Sequence, residues 1–180
     1  MPEYQRYYIH GGTYFFTVVT YQRRCIFKEE SSIELLNNCF KDVIEICNFN
    51  IVAIVILPDH IHTIWTLPEN DSDFSTRWKL IKSSFSKQYK ETVTKHLPDS
   101  LVRKGESGVW QRRFWEHLIR NQEDFNRHCD YIHYNPVKHG FVKKPSDWKF
   151  SSFDEFFKQG FYEENWGGNI DKKIIEMDFE

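Results

Sequence analysis

The chain has four cysteines, Cys25, Cys39, Cys47 and Cys129, and no two of them stand at C-x-x-C spacing. That argues against a zinc knuckle and against a thioredoxin-like site. No disulfide-dense pattern is present either, so a reducing cytoplasm is the expected home. The opening residues, Met1-Pro2-Glu3-Tyr4-Gln5-Arg6, are polar where a secretory leader would be apolar. No run approaches the ~18 apolar residues of a membrane-spanning helix, so no membrane partner is expected. Repeats and low-complexity segments are lacking. At 180 residues the chain can build one domain with a full core, and not comfortably two.

A large excess of either charge is also lacking, the formal net charge being -2. The balance is uneven along the chain. Residues 151–180 carry three lysines against eight acidic groups, whereas residues 1–150 carry 21 basic and 18 acidic groups. A mildly basic body of residues 1–150 is compatible with a phosphate-binding groove. An acidic tail over 151–180 is either a solvated terminus or a competitor for that groove that restrains activity.

Aromatic residues are abundant: 16 Phe, 9 Tyr and 6 Trp. Much of this must be core, while rings left on a surface are suited to stacking nucleobases.

Tyr14 to Thr20 is β-branched and aromatic and reads as a first strand. From about Ser32 to Cys47 apolar residues recur at helical spacing. Asn50 to Leu57 reads as a buried strand, Pro58-Asp59 as a turn, and His60 to Leu67 as the antiparallel partner. Phe74 to about Val93 is a second helix, 94–108 a connection, Val109 to Ile119 a strand, and Glu123 to about Tyr134 a third helix. The order strand–helix–strand–strand–helix–strand predicts an α+β fold: an antiparallel sheet of ferredoxin-like or RRM-like (split β-α-β) topology, with helices on one face.

Two local patterns carry chemistry. On a strand, His60 and His62 project from one face about 7 Å apart, and neutral imidazoles so placed can converge on a cation. That spacing alone leaves a metal site and a chance pair both open. On the third helix, 100° per residue puts Asp124, His128, Tyr131 and Asn135 in a polar strip beside the apolar stripe centred on Phe125. Tyr134 points directly away from that stripe. Tyr131 is therefore the tyrosine facing a site, whether as packing residue or as reactant. Asn135 precedes Pro136, which biases it away from helical geometry. His10, His96, His133 and His139 read as surface or structural residues, while His117 and His128 read as close to the site.

At this point the motifs resemble a known family. Leu57-Pro58-Asp59-His60-Ile61-His62 is similar to the histidine-hydrophobic-histidine signature of single-strand DNA nucleases that use tyrosine. Trp110 to His117 (WQRRFWEH), Asp130 to Gly140 (DYIHYNPVKHG), and the N-terminal Tyr4-Gln5-Arg6-Tyr7-Tyr8 and Gly11-Gly12-Thr13 extend the likeness. Together they resemble the REP-associated tyrosine transposases, bacterial relatives of the IS200/IS605 transposases, over residues 4 to 167.

The resemblance implies that His60 and His62 are metal ligands, Asn135 a third ligand and Tyr131 the nucleophile. It implies a divalent cation, Mg²⁺ or Mn²⁺, of which a mixed N/O set suits Mn²⁺ better. The implied substrate is a hairpin of a repetitive extragenic palindrome with a tetranucleotide at its foot, handled by a nucleoid-associated monomer or homodimer. Arg112, Arg113, Arg120 and Arg127 are candidates for phosphate contacts because they flank the site in sequence. Arg6, Tyr7 and Tyr8 are candidates to read the unpaired nucleotides. A tyrosine hydroxyl has an ordinary pKa near 10, so a neighbouring cation would favour the phenolate that attack requires. Competing expectations are a non-cleaving palindrome-binding module and an RRM-type RNA binder. A zinc deaminase is disfavoured, since neither H-x-E nor P-C-x-x-C is present.

Overall fold

A computed structural model describes residues 6–92, 108–167, 174, 176, 177 and 179. Four antiparallel strands form one sheet: β1 (Thr13–Val19), β2 (Asn50–Ile56), β3 (His60–Thr66) and β4 (Trp115–Leu118), in the order β2-β3-β1-β4. Helices α1 (Glu30–Ile46), α2 (Phe74–Thr92), α3 (Gln122–Lys138) and the short α4 (Phe153–Lys158) complete the architecture. This is the expected split β-α-β arrangement. His96, Tyr4, Gln5 and the expected connection over 94–108, apart from Gly108, lie outside the described residues.

The helices do not share one face. Phe16, Val18, Ile61 and Trp65 pack with α1 and α2, while Phe15, Val55, Leu57 and Ile64 pack with Cys129, Tyr131 and Ile132 of α3. The cause is legible in β1, where six successive residues, Tyr14 to Val19, are all buried. A strand apolar on both faces needs cover on both, and α3 supplies the second layer. β4 is also shorter than the expected 109–119: Val109 and Trp110 belong to the larger core, where Trp110 packs on Phe27 and on Phe85 of α2. Their link to the sheet is a single bridge, Thr20 with Trp110.

The larger core centres on Trp65 and Trp78, whose rings stack at 4.3 Å with 19° between planes and are both fully buried. Phe16, Phe40 and Phe49 pack around them. All four cysteines are free thiols.

On the other face α3 is tied down by a buried polar chain. The His133 imidazole meets Tyr162 Oη at 2.7 Å through Nδ1 and Ser152 Oγ at 2.9 Å through Nε2. Tyr162 in turn donates to Asp130 Oδ1 at 3.1 Å, and Ser152 Oγ accepts from Ile54 N–H at 2.9 Å. This links α3 to β2 and to the segment around α4. Burial pushes His133 down to about 3, so it is neutral in the fold.

Trp65→Ala should destabilise the fold by about 3–5 kcal/mol, read as a lower denaturant midpoint at unchanged slope. His133 generates a pH dependence of known sign. Its folded value lies below the ordinary ~6.5, so the unfolded chain binds the extra proton and acid favours unfolding. Its contribution is complete above pH ~6.5 and falls by about 1.4 kcal/mol per pH unit as pH drops toward 3. His133→Gln should make the stability profile shallower across that window; an unchanged slope would contradict the assignment.

Candidate active site

The register of β1 on β3 places Thr17 opposite His62 and Val19 opposite His60. Both histidines lie on the α3 face with Ile64 and are buried, their ring centroids 4.8 Å apart. Each is oriented through Nδ1. His60 Nδ1 lies 2.6 Å from Asp59 Oδ1, an acceptor only, so that nitrogen carries the proton. His62 Nδ1 lies 2.9 Å from Thr17 Oγ1, whose own hydrogen is donated to the Phe179 carbonyl at 2.6 Å. Thr17 must therefore accept from His62 Nδ1–H. Each anchor turns the ring so that Nε2 faces away from it, the orientation that outer partners impose on metal-binding histidines.

Charge fits that role. Burial, reinforced by His60, His139 and Lys138, pushes His62 well below its ordinary value, so the ring is neutral. Burial alone would raise the Asp59 carboxyl, but hydrogen bonds and charge from His60 and Arg23 outweigh it and lower the value. Arg23 reaches Asp59 Oδ2 at 3.2 Å from a left-handed turn, with φ of 54° at Gln22 and 49° at Arg23. Two non-glycine residues there store strain of order 1–3 kcal/mol each, and the turn folds the guanidinium back over the carboxylate.

Helix α3 delivers the rest. Asn121 caps it by accepting from Asp124 N–H at 2.9 Å. Tyr131 is buried against the sheet, its ring 5.1 Å from His62, while Tyr134 stands half-buried beside Trp166. The helix runs through Pro136 to Lys138, so Asn135 keeps its place one turn beyond Tyr131 and is fully buried. Neither Asn135 Oδ1 nor Nδ2 has a hydrogen-bond partner, and His62 Nε2 has none. A buried amide left unpaired costs about 1–3 kcal/mol. Two imidazole nitrogens and one amide oxygen would make a mixed N/O donor set, the chemistry that suits a divalent cation.

Several neighbours escaped sequence reasoning. Lys138 Nζ sits 5.0 Å over the Tyr131 ring and donates to the Met177 carbonyl at 2.6 Å. It follows Tyr131 by seven residues, two helical turns, a spacing that could have announced it. His139 is exposed at the rim, 5.3 Å from the His60 ring. Asp59 and Thr17 carry no motif of their own. Phe179 crosses the site, its backbone N–H 3.5 Å from Tyr131 Oη. His117 and His128 do lie close by, linked by Asp124. His117 Nε2 is 2.8 Å from Asp124 Oδ2, and His128 Nδ1 is 2.8 Å from the Asp124 carbonyl. The ligand atoms of these three residues fall within 4.8 Å of one another.

The residues expected to meet DNA divide into two groups. Arg112, Arg113, Arg120 and Arg127 are exposed. Arg6 is held in place, with Ser75 Oγ at 3.0 Å, Glu116 Oε1 at 3.2 Å and the Phe114 ring at 4.4 Å. Tyr8 stacks on Phe74, and Tyr7, two-thirds exposed, lines a cavity with Trp115, Glu116, His117 and Arg120. Gly11 seats this segment by adopting φ +66° and donating its N–H to Pro68 and Asp71. The same cavity thus opens along β4.

The family model for IS200-like transposases matches residues 8–135, which include both histidines, Tyr131 and Asn135. A REP-associated tyrosine transposase of Escherichia coli K12 is 44% identical over 170 residues, covering 94% of this chain and 93% of its own length. The chain belongs to the REP-associated tyrosine transposases. A Haemophilus influenzae protein of the same group is 44% identical over 174 residues, covering 97% of this chain and 98% of its own. A solved REP-associated tyrosine transposase bound to a REP hairpin superposes with a TM-score of 0.77 at 44% identity, covering 95% of this chain and 94% of that one. No helix among the described residues of this transposase-family chain is long and apolar enough to cross a membrane.

Asp59→Ala would remove the acceptor that fixes the His60 proton. We expect Mn²⁺ affinity of the full chain, followed by electron paramagnetic resonance, to fall 10–100-fold, the ordinary cost of losing an outer partner. Unchanged affinity would show that Asp59 does not orient a ligand.

Proposed function

We propose that this chain binds single-stranded hairpin DNA of the repetitive palindromic type, cuts it through Tyr131 and can rejoin it. The observation carrying the proposal is that buried Tyr131 packs on His62, with the buried, unpartnered Asn135 amide one helical turn further along the same helix. A packing tyrosine would not need two oriented imidazoles and an unsatisfied amide beside it. The hairpin held by the solved relative points to the substrate class.

His60, His62 and Asn135 would hold a divalent cation, Mn²⁺ or Mg²⁺. Such a cation, when bound, neutralises and orients the non-bridging phosphate oxygens. Tyr131 gives up its phenolic proton to solvent and its oxygen attacks phosphorus in line; the P–Oη bond forms as the P–O3′ bond breaks. The products are a 5′-phosphotyrosine and a free 3′-hydroxyl, the leaving oxygen taking a proton from solvent. The phosphodiester bond count is conserved, so a second 3′-hydroxyl can reverse the step without ATP. Lys138 places its ammonium 5.0 Å over the Tyr131 ring, a cation–π contact that holds the tyrosine in position. The exposed arginines bind backbone phosphates, and Arg6, Tyr7 and Tyr8 contact the unpaired foot of the hairpin.

The C-terminal region restrains this activity in our reading, with residues 1–150 carrying the nuclease. Met177 occupies Lys138 and Phe179 occupies Thr17 and approaches Tyr131. Ser152 and Tyr162, by contrast, hold α3 in place. The covering role therefore falls to the last residues rather than to all of 151–180.

Incubation with a flanked single-strand hairpin and Mn²⁺ should give a denaturant-resistant protein–DNA adduct. Tyr131→Phe should abolish it while leaving hairpin binding within a few fold. Ending the chain after Gly167 should raise the adduct yield; no gain would remove the covering role. A complete absence of adduct from both chains, with binding intact, would instead identify a non-cleaving palindrome-binding module.

A further inference from the structure

Phe179 does more than cross the site. Its ring lies nearly parallel to Trp115 of β4 at 5.2 Å and 13°, and to His128 of α3 at 4.8 Å and 15°. His117 completes the set, near-parallel to His128 at 4.7 Å and to Trp115 at 6.0 Å. Tyr131 and Phe15 meet the Phe179 ring at steep angles of 72° and 59°. A half-buried phenyl ring packed only for its apolar area has no need of two flat partners, and edge-to-face packing would serve as well. Flat contacts at these spacings are the geometry in which single-strand binding proteins hold bases.

The backbone of residue 179 is equally informative. Its carbonyl accepts from Thr17 Oγ1 at 2.6 Å and its N–H lies 3.5 Å from Tyr131 Oη. Ring and backbone are thus placed as base and sugar-phosphate would be if a nucleotide lay here, with the polar backbone beside the nucleophile. His128 is buried and its Nε2 has no hydrogen-bond partner, so the ring wall also carries one unused polar atom.

We infer that Trp115 and His128 form a stacking slot for the nucleobase adjoining the phosphate that Tyr131 attacks, and that Phe179 stands in for that base. Stacking there, together with the contacts assigned to Arg6, Tyr7 and Tyr8, would give the DNA two separate points of purchase. It tolerates any base, because every base offers a π-face. This inference rests on the single-strand DNA reading proposed above and is tested by binding alone.

The test uses the full-length chain without divalent metal, a mixed-sequence single-stranded oligonucleotide, and a copy of it whose nucleotides are abasic but whose phosphates are intact. Phe179→Ala should bind the base-bearing strand about tenfold more tightly than wild type, within the span set by stacking one base. The abasic strand should show no such gain. In the Phe179→Ala background, Trp115→Phe should keep the gain and Trp115→Leu should lose it. The comparison of intact with abasic strands needs no change in the sheet, so a poorly folding Trp115→Leu chain would not blunt the test. An equal gain on both strands, or no gain at all, would overturn the slot. A base-dependent gain in a protein that never forms a covalent adduct would retain the slot and remove the nuclease.

Discussion

The antiparallel register of β1 on β3 is the constraint on which the site depends. Side chains alternate faces along a strand, so a slip of one residue would turn His60 and His62 toward α1 and α2 and leave Trp65 facing α3. The register is held because both strands are buried on both faces, and seven consecutive pairs from Thr13–Thr66 to Val19–His60 are formed. It also sets Thr17 beside His62, where its hydroxyl determines which ring nitrogen carries the proton. Fold and chemistry are therefore one requirement here. The Trp65–Trp78 stack on one face secures the direction in which the histidines point on the other.

Helix α3 is the second half of the device. It brings Tyr131 and Asn135 to the sheet on a rigid element rather than a loop, and rigidity matters when reacting atoms must be aligned. The polar chain through His133, Tyr162, Asp130 and Ser152 fixes that helix against β2. This gives the acidic C-terminal region a double character. Around Tyr162 it is structural, while Met177 and Phe179 reach Lys138 and Tyr131.

Much of this was legible in the sequence, for reasons that can be named. Period-two alternation put His60 and His62 on one face, and 100° periodicity separated Tyr131 from Tyr134 correctly. Both rest on local geometry, which a single sequence encodes well. The expectation of helices on one face failed because it took element order as a guide to layers. Yet the apolar run Tyr14–Val19 of β1, interrupted only by Thr17, carried the contrary signal. Asn135 kept its alignment despite Pro136 because the helix continues to Lys138. Thr17 and Phe179 were missed because their contacts, with His62, with Tyr131 and with each other, join distant parts of the chain that no spacing rule reaches, whereas Lys138, two turns beyond Tyr131, and Asp59, next to His60, were within reach. Family likeness supplied the chemistry of the motifs, and it could not supply these contacts.

The central claim is that one particular tyrosine becomes the covalent carrier of DNA. Peptide mapping of the adduct by mass spectrometry tests it most directly. Trypsin should release residues 128–138 as one peptide holding both Tyr131 and Tyr134. The account predicts a nucleotide mass on Tyr131 alone; its attachment to Tyr134, or to a tyrosine outside this peptide, would contradict it.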